Sequence, residues 1–311
     1  IFVYVLRKAS TMAKKKKKNL TKRAIIISSV LLFLCLLASV VYVYGMDYYR
    51  KYYACPQLGV NYNKYPVFGI DVSVHQGKID WQLVAESKIS FAFMKATEGQ
   101  NFVDKNFETN WKAAKKQNII VGAYLFYKFN KDGKDQADNF IKVVKTLEDN
   151  DMPPVVDFEL CYGNRFSKVS HNKIQNQLLK CLRQLEKHYN CKPIIYTNID
   201  TYNKYIKGSF DDYPLWLCRL CSEPNIHSWS FWQYSHKGIV PGIKGNVDMN
   251  IFNGSYTQFV DYVYKSRGIE VKKAERKTEH KNNNVKPKQQ SSKKKPAQST
   301  NNRRGTRSTK K

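Results

Sequence analysis

The chain has 311 residues and carries 53 Lys and Arg against 25 Asp and Glu, a formal net charge of +28. That length allows one large domain or two ordinary ones with tails. It also allows a core large enough to fold without cross-links, so the seven cysteines imply no disulfide framework. The charge sits at the ends: residues 1–23 are net +9 and residues 271–311 net +13, which leaves +6 between them. A globular body so mildly basic lacks the excess expected of a nucleic-acid-binding domain.

The N-terminal 23 residues are rich in Lys and Arg, and Met12 is the expected start of translation. From Ala24 to Tyr44 runs a 21-residue stretch without a charge. It is long enough to cross a bilayer core of ~30 Å as a helix. The basic block before it predicts a cytoplasmic N-terminus and an external remainder. A cleaved signal peptide is the alternative, but the apolar run exceeds a usual signal core and no small-residue cleavage motif follows. Tyr42, Tyr44, Tyr48 and Tyr49 suit a membrane interface. The expected organisation is a basic cytoplasmic segment (1–23), a transmembrane signal-anchor (24–44), a linker (45–65), one globular domain (66–265) and a disordered basic tail (266–311). Such a tail is suited to an anionic surface such as phospholipid, cell-wall polymer or nucleic acid.

Within the globular region, apolar runs at 67–73, 91–97, 119–127, 153–159, 193–198, 215–220 and 230–235 read as strands. Amphipathic stretches separate them. In one, Ser170 is the expected N-cap, and Ile174, Leu178, Cys181, Leu182 and Leu185 share a helical face. Strands apolar on both faces, alternating with helices, predict a parallel sheet covered by helices. An α/β fold of the β/α-barrel type fits eight or so strands, and an open doubly wound sheet is the alternative.

Ligands of parallel β/α folds sit at the carboxyl ends of strands. Here those ends carry polar residues on strand after strand. The run PPVVDFEL (153–160) is the most pointed case, placing Asp157 and Glu159 two apart in an apolar segment. Residues i and i+2 of a strand share a face about 6.6 Å apart. Two carboxyls in one cleft repel each other, so that one stays ionised while the other keeps a proton near neutral pH. Glycoside hydrolysis needs that division, although an ion-paired structural couple or a pair of metal ligands fits D-x-E equally well. His75 has no second ligand at metal-binding spacing, and C-R-L-C at 218–221 is a C-x-x-C without a partner pair.

The segments FGIDVSVHQGKIDW, FMKATEG, VGAYLFY, PPVVDFE, PIIYTN, LWLCRL, FWQYS and GIKGNVDMN occur over residues 67–252 in an order and spacing that resemble glycoside hydrolase family 25, the N-acetylmuramidases or lysozymes. The resemblance implies an irregular β/α barrel that cleaves β-1,4 bonds of peptidoglycan, with no cofactor and no metal ion. It implies Glu159 as general acid, Asp157 as an assisting anion, and Asp71 and Asp248 as further acids of the cleft. Tyr124, Tyr196, Trp216 and Trp232 would offer aromatic faces to sugar rings. Gln76, Lys95, Glu98, Asn198 and Gln233 would offer polar contacts. Leu125 stands where the family often has His, and Cys218 and Leu220 where Ala and Tyr are common, departures expected to touch the cleft wall. The alternatives are a chitinase-like hydrolase of N-acetylglucosamine polymers and a non-catalytic wall-binding module. The expected partners are peptidoglycan and, through the N-terminal helix, a membrane. The chain is read as a monomer.

Overall fold

In the computed structural model of the chain, residues 2–52, 60–220, 222–226 and 228–269 are described. The basic tail and Cys221 therefore lie outside the described residues, apart from the tail's first few positions. A single helix, α1 (Phe2–Tyr52), runs through the N-terminal basic block and the apolar stretch. Its segment Asn19–Met46, with a mean hydropathy of 2.9 and no buried residues, is long and apolar enough to cross a membrane.

Nine strands follow among the described residues: β1 (Phe68–Val72), β2 (Ile89–Glu98), β3 (Phe102–Val103), β4 (Ile120–Phe126), β5 (Val155–Asp157), β6 (Ile194–Asn198), β7 (Leu215–Cys218), β8 (Phe231–Gly238) and β9 (Val247–Phe252). They are ordered β1-β9-β8-β7-β6-β5-β4-β2-β3, and β1 also pairs with β2. That last pairing closes eight strands into a barrel and leaves β3 as a short arm on the end of β2. The open doubly wound alternative is thereby excluded. All neighbours in the barrel are parallel except β9, which runs antiparallel to both β8 and β1. Residues 239–246 suffice for this reversal, since antiparallel neighbours need only a hairpin.

Strand alternation builds two apolar layers. Inside the barrel, Phe91, Phe93, Val155, Ile194, Trp216 and Phe231 fill the lumen. The Phe93 ring stacks on Trp216 at 4.2 Å between centroids. A Cβ on Gly69 would lie 2.2 Å from the Phe91 ring, so glycine there admits the aromatic filling. Helix α7 (Tyr256–Ser266) brings Phe259 against Phe91 and Phe252, closing the end of the barrel where the parallel strands begin.

The outer layer lies between strands and helices α2 (Trp81–Glu86), α3 (Phe107–Lys116), α4 (Gly133–Val144) and α5 (His171–Tyr189). The expected face of α5 is buried as a set: Ile174, Leu178, Cys181, Leu182 and Leu185. Ser170 occupies the N-cap position with extended backbone, but its side chain makes no capping bond. Val60 and Tyr65 are buried in this same layer, so packing on the barrel begins before residue 66. Cys161, Cys181, Cys191 and Cys218 are free thiols.

Candidate active site

All parallel strands present their carboxyl ends at the mouth opposite α7. The polar residues there line an open cleft of about 1590 Å³ that includes Asp71, Asp157, Glu159 and Asp248. Four carboxyls converge because four different elements deliver them: β1, β5, the loop after β5, and the start of the antiparallel β9. Asp71 and Asp248 are direct partners in the β1–β9 register.

Asp71 is held by a chain of polar side chains. Gln233 Nε2 and Asn250 Nδ2 both donate to its Oδ2 at 2.8 Å. Tyr196 OH donates to Gln233 Oε1, and Trp216 Nε1 to Asn250 Oδ1, each at 2.8 Å. Because an indole N–H can only donate, it turns the Asn250 carbonyl toward itself and the amide N–H toward Asp71. Burial, followed by the charge of Asp248, pushes the Asp71 carboxyl up to about 8 despite those donors.

Asp157 ends β5 with its Oδ1 buried and without a hydrogen-bond partner. Burial and the neighbouring Glu159 drive its carboxyl well above the ordinary range, with Lys95 opposing. Glu159 lies just past the strand. Cys161 Sγ donates to its Oε1 at 3.1 Å, and Asn198 Nδ2 to its Oε2 at 3.3 Å. Burial raises Glu159 as well, while these two donors work against the rise. The thiol remains a donor because burial and the adjacent Glu159 push Cys161 far up. A second hydrogen bond orients Asn198, whose Oδ1 accepts from Thr201 N at 2.9 Å at the N-cap of the short helix α6 (Ile199–Thr201).

Glu98 bridges Lys95 and Lys128 across one wall, with Lys128 Nζ at 2.7 Å. Burial would raise Glu98, but both lysines outweigh it and hold the carboxyl below its usual range. A register shift between Lys95 and Thr97 brings Glu98 back to the face of Lys95. Gln76 lines the cleft with its Oε1 committed to Ser73 N at 2.9 Å. Tyr124, Tyr196 and Trp216 also line it. The indole of Trp216 is only 2% exposed, however, and forms floor rather than an open platform.

Trp232 does not belong to the cleft. Strand neighbours point to opposite faces, and with Gln233 facing the mouth, Trp232 points outward. There it packs against Trp229, Tyr65 and Tyr234 and donates Nε1 to Arg219 O at 2.7 Å. Leu125 likewise faces the outer layer and is fully buried, so its replacement of His leaves the cleft wall untouched. Cys218 and Leu220 do line the cleft.

Three participants escaped sequence reasoning. Asn250 was accessible from alternation, two residues after Asp248 on the same strand face. Cys161 sits in a loop, where no period applies. His236 follows one register shift in β8 and lies within a second, and its Nδ1 lies 2.8 Å from Asp248 Oδ1.

A closed β/α barrel with paired and opposed carboxyls in an open polar cleft defines a carbohydrate-cleaving type of site. Residues 70–243 match the model of the family described as glycosyl hydrolases family 25, and the chain belongs to that family. It is a glycoside hydrolase. It is 34% identical over 207 residues to the uncharacterized protein YegX of Escherichia coli K12, covering 64% of this chain and 74% of that protein. It is 35% identical over 207 residues to lysozyme M1 of Streptomyces globisporus, covering 61% and 68%. A family 25 glycosyl hydrolase structure from Bacillus anthracis superposes with a TM-score of 0.61 at 34% identity, covering 64% of this chain and 94% of that one.

Proposed function

We propose that the chain hydrolyses the β-1,4 bonds between N-acetylmuramic acid and N-acetylglucosamine in peptidoglycan. The observation that carries the proposal is the meeting of Asp71, Asp157, Glu159 and Asp248 in one cleft of a family 25 barrel. Burial raises Asp157 and Glu159 together, which favours a retained proton for the leaving oxygen. Glu159 reaches from the loop and gives that proton as the glycosidic C–O bond breaks. Asp157 Oδ1, a buried acceptor without a donor, suits the acetamido N–H of a bound sugar. That hydrogen bond favours ionised Asp157, whose charge in turn favours the protonated form of Glu159. Asp157, Asp71 and Asp248 then face the positive charge that develops at the anomeric carbon.

The apolar segment of α1 supports a retained signal-anchor, with the Lys-rich end in the cytoplasm and the barrel outside. The division into anchor, hydrolase domain and basic tail belongs to the same reading.

Digestion of purified peptidoglycan by the full chain, read by mass spectrometry of the products, should give muropeptides with reducing-end N-acetylmuramic acid. Glu159→Gln should lower the rate by at least about 100-fold with the fold intact. Undiminished activity of that variant would remove Glu159 from its role. Faster release from chitin oligomers than from peptidoglycan would move the substrate to N-acetylglucosamine polymers.

A further inference from the structure

We infer that His236 is a positioning residue of the acid cluster, anchoring Asp248 and placing a positive charge at the rim beside Asp71 and Glu159. The inference rests on the muramidase reading for its kinetic consequences but not for its geometry.

His236 is delivered by an irregular strand end. β8 pairs regularly with β9 as far as Gln233, then shifts register between Gln233 and Ser235 and again before Gly238. Bulges of this kind re-aim side chains, and here the imidazole turns back over the mouth. The approach is close: a Cβ on Gly238 would lie 2.2 Å from Met249 Cγ and 2.9 Å from Val247 O. Only glycine lets the end of β8 lie this tightly against the residues flanking Asp248.

Both ring nitrogens have partners. Nδ1 lies 2.8 Å from Asp248 Oδ1, and Nε2 lies 3.9 Å from Cys218 Sγ on β7. The charged and titratable groups facing the ring are Asp248 from β9, Cys218 from β7, Asp71 from β1 and Glu159 from the loop after β5. Asp248, at hydrogen-bond distance from Nδ1, is the carboxyl that favours a proton on the ring. Burial alone would lower its proton affinity, but the hydrogen bonds to Asp248 and Cys218 outweigh burial and raise it. The charge in turn lowers Asp71 and Glu159.

A neutral side chain at this position therefore leaves the acids more basic. The pH profile of kcat/KM on peptidoglycan should move to higher pH by about one unit in both His236→Asn and His236→Ala. Its acidic limb moves because Asp71 ionises later, and its basic limb because Glu159 keeps its proton longer. His236→Ala should also lose about ten-fold in kcat, whereas His236→Asn, whose amide can still donate to Asp248, retains more. A histidine that only packs at the rim would change the height of the profile and not its position.

A second measurement needs no substrate. In the full chain in detergent micelles, with ¹⁵N-labelled histidine, the ring of His236 should remain doubly protonated at pH 7.5 and lose that proton in Asp248→Asn. A neutral ring in the wild-type protein, or a pH profile unmoved in both variants, would overturn the inference. Wild-type inactivity on peptidoglycan would instead count against the muramidase reading and leave the ring titration to decide this one.

Discussion

Asp71 is buried with two amide donors on one oxygen and a second carboxylate opposite it in the β1–β9 pairing. Burial and the charge of Asp248 outweigh the two donors, so its carboxyl keeps a proton up to about pH 8, where the unfolded chain would release it near the ordinary value of 3.8. The sign follows from linkage. Between these pH values the folded state binds the extra proton, so the stabilisation is complete below 3.8 and fades as pH rises toward about 8. Thermal melts from pH 5 to pH 8.5 should show Tm falling with pH, and falling less in Asp71→Asn. Asparagine can present its carbonyl oxygen to Gln233 and Asn250, because both donors meet the same Oδ2. The variant should thus melt higher than the wild type at pH 8.5 while losing at least about 100-fold in activity. Equal pH slopes for the two proteins would contradict this account of Asp71. The conflict between stability and charge at one residue is a signature of a working site.

At the scale of elements, helix caps separate position from interaction. Asp132 accepts from Lys134 N and Asp135 N at the start of α4, at 2.9 and 3.2 Å. Ser170 stands at the corresponding place of α5 and makes no such bond. Asp132→Ala should cost about 1 kcal/mol in denaturant unfolding, whereas Ser170→Ala should stay within about 0.5 kcal/mol. The contrast also marks what could be read from residues alone. The cap position of α5 and its buried face follow from composition and period, but whether a hydroxyl turns inward depends on packing. The same holds for the barrel. Seven strands are visible as apolar runs, yet β9 alternates Val-Asp-Met-Asn and ends in Ile-Phe, so half of it reads as loop. Its antiparallel course was also invisible, because direction is set by the 239–246 reversal and not by the strand's own residues. Strict alternation would have separated Trp232 from Gln233. It could not have placed Glu98 or His236, since register shifts in β2 and β8 reset the period that sequence reasoning counts on.

For the whole molecule, the two kinds of signal at the ends of the chain make different physical demands. Most of the +28 charge is carried by residues 1–23 and 271–311, and attraction from such charges is screened within about 8 Å at physiological salt. Burial of the Asn19–Met46 segment in hydrocarbon is not screened at all. If α1 is a retained anchor, membranes carrying the full chain should hold it through a 1 M salt wash, and its intact mass should include residues 24–44. If the segment were removed as a signal peptide, the mature chain would begin beyond it, and salt would release whatever the basic tail alone had held. Retention of full-length protein after the wash, lost when residues 24–44 are replaced by a polar helix of equal length, would assign membrane attachment to the apolar segment. Release of full-length protein by salt would assign it to charge. The distinction matters for catalysis, because an anchored barrel meets only the wall strands within reach of its connector. A freed one would reach any peptidoglycan to which it can diffuse.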